Sequence, residues 1–284
     1  MNFKEIKLPW LLKKGLSVML IRVIGMAIVY LSILYITNVY GAETYGRYTL
    51  AQTLVQALIL LFSLGIRTSI VKLTSDVNFF LNGKPLNNYL KKIVFALLAS
   101  SIICAILLLI FKNWLAIEVF KDHLLADYFK YTAVFIVFVI FHSVLAEFIR
   151  AKKKFWEYSL YVYVLPPLLF LITLIVIRSK GLPESSIILS YLLSFVILCI
   201  ILVFYFPLKK INVKVDYSYR KLFSLSLPMM FSALFLFLSN WTDVFMLGIL
   251  STKTDVGVYN AAFKLAIIAF IVINAINTVF APKI

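Results

Sequence analysis

The chain has 284 residues, of which 63% are hydrophobic and 14% charged, and its formal net charge is +16. A soluble domain is nearer half apolar and a quarter charged, so a soluble enzyme, a disordered chain and a nucleic-acid-binding module are set aside. What remains is an all-α polytopic membrane protein with lipid as its main solvent.

A helical crossing takes about 20 mostly apolar residues. Eight stretches qualify: Gly15–Thr37, Tyr48–Ile66, Ile93–Phe111, Thr132–Phe148, Tyr158–Ile177, Ser186–Phe206, Leu222–Leu250 and Val256–Val279. The first is too long for a signal-peptide core and has no small-residue cleavage site after it, so it reads as a retained helix. Lys and Arg alternate between connections, 19 on one side and 7 on the other. By the positive-inside rule this predicts both termini in the cytoplasm. Trp10, Tyr40, Tyr45, Trp114, Trp156 and Tyr158 fall near span ends, as an aromatic belt would. The connection from Arg67 to Lys92 is long and basic, and Phe79, Phe80 and Leu81 predict a short interfacial helix within it. Cys104 and Cys199 each sit in an apolar run with no CxxC neighbour, which argues against a disulfide or metal site.

The segment entering the second span reads Gly46-Arg47-Tyr48-Thr49-Leu50-Ala51, and that entering the eighth reads Gly257-Val258-Tyr259-Asn260-Ala261-Ala262. Both are GxYxxA. The same offset carries the first span onto the seventh. A duplicated unit of six spans follows, as a parallel repeat about an axis along the membrane normal. It divides the chain into a six-helix lobe at 1–221 and the first two helices of a second lobe at 222–284. On this reading four further helices would complete the second unit. The alternative is that eight spans are the design and the repeat is accidental.

A resemblance rests on particular residues. Lys13-Lys14-Gly15 precede an apolar first span with an internal Arg22. A Tyr40-Gly41-Ala42-Glu43-Thr44-Tyr45-Gly46-Arg47-Tyr48 turn follows, and Gly65-Ile66-Arg67 closes the second span. Ser226-Leu227-Pro228 opens the seventh span, Asp243 and Leu247-Gly248 close it, and Val256-Gly257-Val258-Tyr259-Asn260-Ala261-Ala262-Phe263-Lys264 starts the eighth. These features resemble the Wzx-type (O-antigen) polysaccharide flippases of the multidrug/oligosaccharidyl-lipid/polysaccharide exporter superfamily. The resemblance implies a MATE-like fold of two six-helix lobes. It also implies a central cavity that flips an undecaprenyl-pyrophosphate-linked oligosaccharide across the inner membrane, with no cofactor and with a polysaccharide polymerase as a candidate partner. A multidrug efflux protein, a peptidoglycan-precursor flippase and an inactive fragment are rivals within that superfamily. A membrane-embedded glycosyl- or acyltransferase is the rival from another class.

Charges inside a bilayer need a partner, a hydrated cavity or a route to the surface. Arg22 lies about 10 Å into the first span at 1.5 Å per residue. It either snorkels or serves as a cavity cation for a pyrophosphate, which its planar fork would suit. Lys264 and Asp243 fall at similar depths of neighbouring spans and are expected to meet, as a structural ion pair or as a cavity Lys tuned by an acid. Gln52, Asn240, Gln56, Asn274 and Asn277 serve either interhelical hydrogen bonds or sugar hydroxyls. Together with Arg67, the substrate-binding candidates are Arg22, Lys264, Asp243, Asn240 and Gln52. His142 at mid-span is either satisfied within the bundle or a proton relay. Glu147 and Arg150, three apart, should pair. Pro166-Pro167 and Pro228 remove backbone donors and should kink their helices. No phosphate loop, HExxH or GxSxG is present in the sequence.

Overall fold

The computed structural model describes the backbone over residues 8–75, 80–81, 84–85, 87–152, 154–205 and 219–280. Side chains are described over 17–71, 91–152, 154–204, 219–220 and 222–266. Nine α-helices and two π-helical turns lie among these residues, in the order α1 (Leu8–Phe62), α2 (Ile66–Ser75), α3 (Asn87–Trp114), a π turn at Leu115–Val119, α4 (Leu125–Ala151), α5 (Phe155–Ser159), a π turn at Leu160–Val164, α6 (Leu165–Arg178), α7 (Ser186–Tyr205), α8 (Tyr219–Leu250) and α9 (Lys253–Phe280). A two-residue antiparallel pair, β1 (Phe80–Leu81) with β2 (Lys84–Pro85), follows α2. The connection after Arg67 therefore holds a ten-residue helix set earlier than expected, and Phe80 and Leu81 are strand rather than helix.

Six stretches are long and apolar enough to cross a membrane among the described residues. The first runs from Ser17 to Phe62, 46 residues. A straight helix of that length would be roughly 70 Å long, twice the hydrocarbon thickness. Gly41, at φ 87° and ψ 166°, breaks it. That backbone conformation is open to glycine and closed to residues with a Cβ. Two crossings result, a first limb before Gly41 and a second limb after it. The 28 residues of α9 are long enough for a further crossing. The protein is thus an all-helical, multi-pass membrane protein.

Helix α4 is the centre of the bundle. Of its most apolar window 67% is buried, against 11% for the α5–α6 stretch. It packs on α7, α3, α2 and α1, and α6 packs on α7. Large apolar side chains such as Phe95, Ile110, Phe204, Phe235 and Leu250 are exposed on the outer faces, where lipid replaces water as the solvent. Cys104 and Cys199 are buried free thiols.

The α8–α9 hairpin docks against α1 and α2. At one end of the bundle Gly46 of α1 meets Gly257 of α9. A Cβ built on either would lie 3.1–3.2 Å from the other's backbone nitrogen. These are the two first glycines of the GxYxxA pair, and only hydrogen side chains let the backbones come this close. Tyr45 seals the crossing by donating its hydroxyl to Asn260 Oδ1 at 2.9 Å, both side chains buried. At the other end Ser69 and Ser226 hydroxyls lie 2.7 Å apart.

Charges tie the connections at the Gly46 end. Arg47 pairs with Glu43, with Asp122 at 2.7 Å and with Glu184 at 3.7 Å. Thr44 donates to the same Glu184 carboxylate at 2.9 Å. Lys253 donates to the carbonyls of Phe120 at 2.6 Å and Gly248 at 2.9 Å. Burial lowers the Lys253 pKa from its usual 10.5. Thr252 and Asp255 form a capping box at the start of α9. The Asp255 amide donates to Thr252 Oγ1 at 3.1 Å, and the Thr252 amide to Asp255 Oδ2 at 3.2 Å.

A polarised cavity inside the helical bundle

A cavity of about 230 Å³ lies between both limbs of α1, α2, α4, α6, α7 and α9. Pockets for small ligands usually run ~300–1,000 Å³. This one lies below that range.

One end is aromatic. Tyr48 stacks on Phe170 with centroids 5.3 Å apart, and Tyr191 meets both edge-on at 5.9 Å. Gln56 Nε2 donates to the Tyr191 hydroxyl at 3.3 Å, and Gln52 lines the same end. The other end is charged. Arg67 on α2 faces His142 and Glu147 on α4 closely enough to act on both electrostatically. Glu147 is already committed, accepting from the Tyr158 hydroxyl at 3.1 Å and pairing with Arg150 at 2.7 Å. The spacing of Glu147 and Arg150 in the sequence anticipated that pair. Lys264 reaches the cavity from α9, with Nζ 5.8 Å from the Trp241 ring centre.

Of the sequence candidates, the structure brings Gln52, Arg67 and Lys264 together on this cavity. It places Arg22 on the outer face of the first limb, over the Tyr163 ring at 4.7 Å. Asn240 is exposed on α8 and donates to the Leu236 carbonyl at 2.6 Å. Asp243 accepts from the hydroxyl of Tyr259. No ion pair joins it to Lys264 among the described residues. The cause is the capping box, which starts α9 at Lys253 rather than Val256. Three extra residues put Lys264 roughly 4.5 Å farther from the turn than expected. Tyr259 is left level with Asp243. The side chains of Asn274 and Asn277 lie outside the described residues.

His142 is buried and meets Phe195 edge-on at 5.0 Å. Pro166 and Pro167 stand in the first turn of α6, directly after the π turn. Nothing in the sequence announces that π turn, since its residues, Leu-Tyr-Val-Tyr-Val, suit an α-helix as well.

The helical bundle has a MATE-like fold, as the solved structures below show. The chain matches the model of the family described as "Polysaccharide biosynthesis protein" over residues 11–284. It belongs to that family. No curated protein matches the chain. Among solved structures it is similar to the MATE multidrug transporter DinF-BH, at 16% identity and a TM-score of 0.62. It is also similar to a chain described as "protein A", at 13% identity and a TM-score of 0.65. In both cases 95% of this chain aligns, and it spans 63% of the other.

Proposed function

We propose that this protein moves a lipid-linked, phosphate-bearing oligosaccharide across the inner membrane by alternating access. The undecaprenyl-pyrophosphate-linked repeat unit of an O-antigen, capsule or exopolysaccharide is the substrate class. The observation that carries the reading is the pairing of Arg67 and Lys264 on one internal cavity whose carboxylate, Glu147, is already neutralised by Arg150. That leaves a positive surplus, which suits an anion. Guanidinium pairs phosphate oxygens two at a time. Gln52 offers an amide for a sugar hydroxyl. The polyprenyl tail stays in lipid. Arg22, Asp243 and Asn240 lie off the cavity and are candidate contacts at other stages of passage. Both termini face the cytoplasm in this scheme.

The test uses a deletion strain of the source organism. Cytoplasmic-leaflet accumulation of polyprenyl-linked oligosaccharide, loss of surface polysaccharide and rescue by the gene are expected. Arg67→Ala and Lys264→Ala should each depress export at unchanged protein level. Unchanged lipids in the deletion strain would refute the proposal.

A second reading is efflux of flat organic cations, favoured by the Tyr48, Phe170 and Tyr191 cluster. Hypersensitivity of the deletion strain to cationic dyes, with normal surface sugar, would select it.

A further inference from the structure

Arg22 lies off the cavity, on a seam with its own chemistry. Gly25 sets the first limb of α1 directly against the π turn at Leu160–Val164. A Cβ built on it would fall on the Tyr163 carbonyl oxygen, so the two backbones touch. One turn earlier on the same face, Arg22 lies over the Tyr163 ring, with Cζ 4.7 Å from the ring centre. The ring covers one face of the guanidinium and leaves its N–H edges to bond outward. Among the described residues neither the Arg22 guanidinium nor the Tyr163 hydroxyl has a hydrogen-bond or ion-pair partner. Leu20, Val23 and Ile24 beside it are exposed on the outer, lipid-facing side. Lipid tails offer no acceptor, so a cation on this face takes one from a head group.

The depth is that of a phosphate. Tyr40 and Arg178 meet at 5.2 Å. They mark the end of the bundle where Glu43, Asp122 and Glu184 gather around Arg47. Arg22 precedes Tyr40 by 18 residues and Tyr163 precedes Arg178 by 15, roughly 27 Å and 22 Å of helix. A hydrocarbon core is about 30 Å thick. The pair therefore lies just inside the opposite edge, within reach of the lipid phosphates for a long Arg side chain. Phe155 and Trp156, both exposed on α5, stand at that edge as interfacial aromatics do.

The charges nearby select the lipid. Tyr163 meets Tyr158 edge-on at 6.4 Å, and Arg150 lies over the Tyr158 ring at 5.4 Å. A second guanidinium, its side chain 39% exposed, thus stands beyond the same pair of rings. The carboxylates on the adjoining helices, Glu147 and Glu157, are already paired with Arg150 and Lys154. A choline or ethanolamine head group would bring a further cation to a place with no spare carboxylate. A phospholipid whose only charge is its phosphate fits.

We propose that the seam between the first limb of α1 and the π turn is a binding site for an anionic phospholipid. Arg22 and the Tyr163 hydroxyl donate to its phosphate, and Leu20, Val23 and Ile24 lie along an acyl chain. The occupant is a resident of the bilayer rather than cargo. Neither Arg22 nor Tyr163 lines the cavity, and the Gly25–Tyr163 contact closes the seam behind them.

Native mass spectrometry of the detergent-purified full chain, titrated with phosphatidylglycerol and separately with phosphatidylcholine, tests the site. Preferential binding of phosphatidylglycerol is expected. Arg22→Gln should weaken it about tenfold or more, and Tyr163→Phe, which keeps the ring, about two- to tenfold. Lys180→Gln removes the same charge from an exposed position at the other end of the bundle and should change nothing. Equal losses for Arg22→Gln and Lys180→Gln would reduce the effect to net charge and overturn the proposal. So would equal binding of the two lipids. Displacement of phosphatidylglycerol by equimolar farnesyl diphosphate would assign the seam to cargo, and overturns it too.

Should Arg22→Gln fail to fold, Trp156 decides, about 10 Å along the helix from Tyr163. With Trp10, Trp114 and Trp241 changed to Phe, phosphatidylglycerol brominated on its acyl chains should quench Trp156 more than brominated phosphatidylcholine at the same mole fraction. Equal quenching overturns the proposal. Neither measurement involves transport, so the lipid site and the export reading fail separately.

Discussion

The crossing of Gly46 and Gly257 makes a sharp prediction for Gly46→Ala. The added Cβ falls on the Lys253 carbonyl oxygen and 3.2 Å from the Gly257 nitrogen. Both are backbone atoms, so no rotamer change relieves the clash. The helices must part by roughly 1–2 Å to restore van der Waals contact, at an overpacking cost of about 1–3 kcal/mol. Parting also stretches the 2.9 Å Tyr45–Asn260 bond, which adds about 1 kcal/mol because Asn260 is buried. The total of about 2–4 kcal/mol shifts the equilibrium between docked and undocked hairpin by about 30- to 700-fold. Gly248→Ala is the internal comparison. Its Cβ meets the end of the Leu50 side chain and Phe120 Cδ1 at 3.3 Å, and the leucine can turn away. Denaturation in mixed SDS micelles, followed by the Trp241 fluorescence of α8, reads both variants. Gly46→Ala should unfold at clearly lower SDS than Gly248→Ala. Equal midpoints, or a wild-type midpoint for Gly46→Ala, would refute the close-packed crossing.

Other expectations follow from the same contacts. Tyr45→Phe should destabilise by about 1–2 kcal/mol, since it strands buried Asn260 Oδ1, and a double-mutant cycle with Asn260→Leu should show the two effects to be non-additive. Arg47→Ala leaves Asp122 half a pair at a side-chain exposure of 8%, for up to about 3–5 kcal/mol. Arg47→Lys should rescue only partly, because a point charge cannot fork between Asp122 and Glu184. Hydrogen bonds from Ser251 and Thr252 hold the Asp255 carboxyl below its ordinary 3.8. A depressed folded-state value means its stabilising contribution is present above pH 3.8 and is lost as pH falls through the lower folded value. Melting curves of the wild type should therefore drop below pH 3.8 more steeply than those of Asp255→Asn.

Much of the fold is legible because lipid makes a coarse demand, one apolar run per crossing. The runs at Ile93–Phe111 and Thr132–Phe148 fall on helices α3 and α4, and the run from Ser186 falls on α7 as far as Tyr205. Gly46 and Gly257, matched by their motif, meet in space. Boundaries are less legible, since a Thr252–Asp255 capping box looks like any polar turn, and missing it misplaced Lys264 against Asp243. The Arg47 cluster is invisible to local reading, because Asp122 lies 75 residues away in sequence. His142 is conspicuous in the sequence, but its edge-on contact with Phe195 on α7 joins residues 53 apart and is not legible locally.

The members of the Arg47 cluster are synthesised at well-separated times. Glu43 leaves the ribosome just before Arg47, so an adjacent ion pair is ready at once. Asp122 follows 75 residues later, about 4–15 s at ordinary elongation rates. Thr44 waits for Glu184 across 140 residues, about 7–28 s. During that interval Glu43 is the one carboxylate partner of Arg47 already synthesised. The ion-pair cluster can close only once the segments before α4 and α7 have followed.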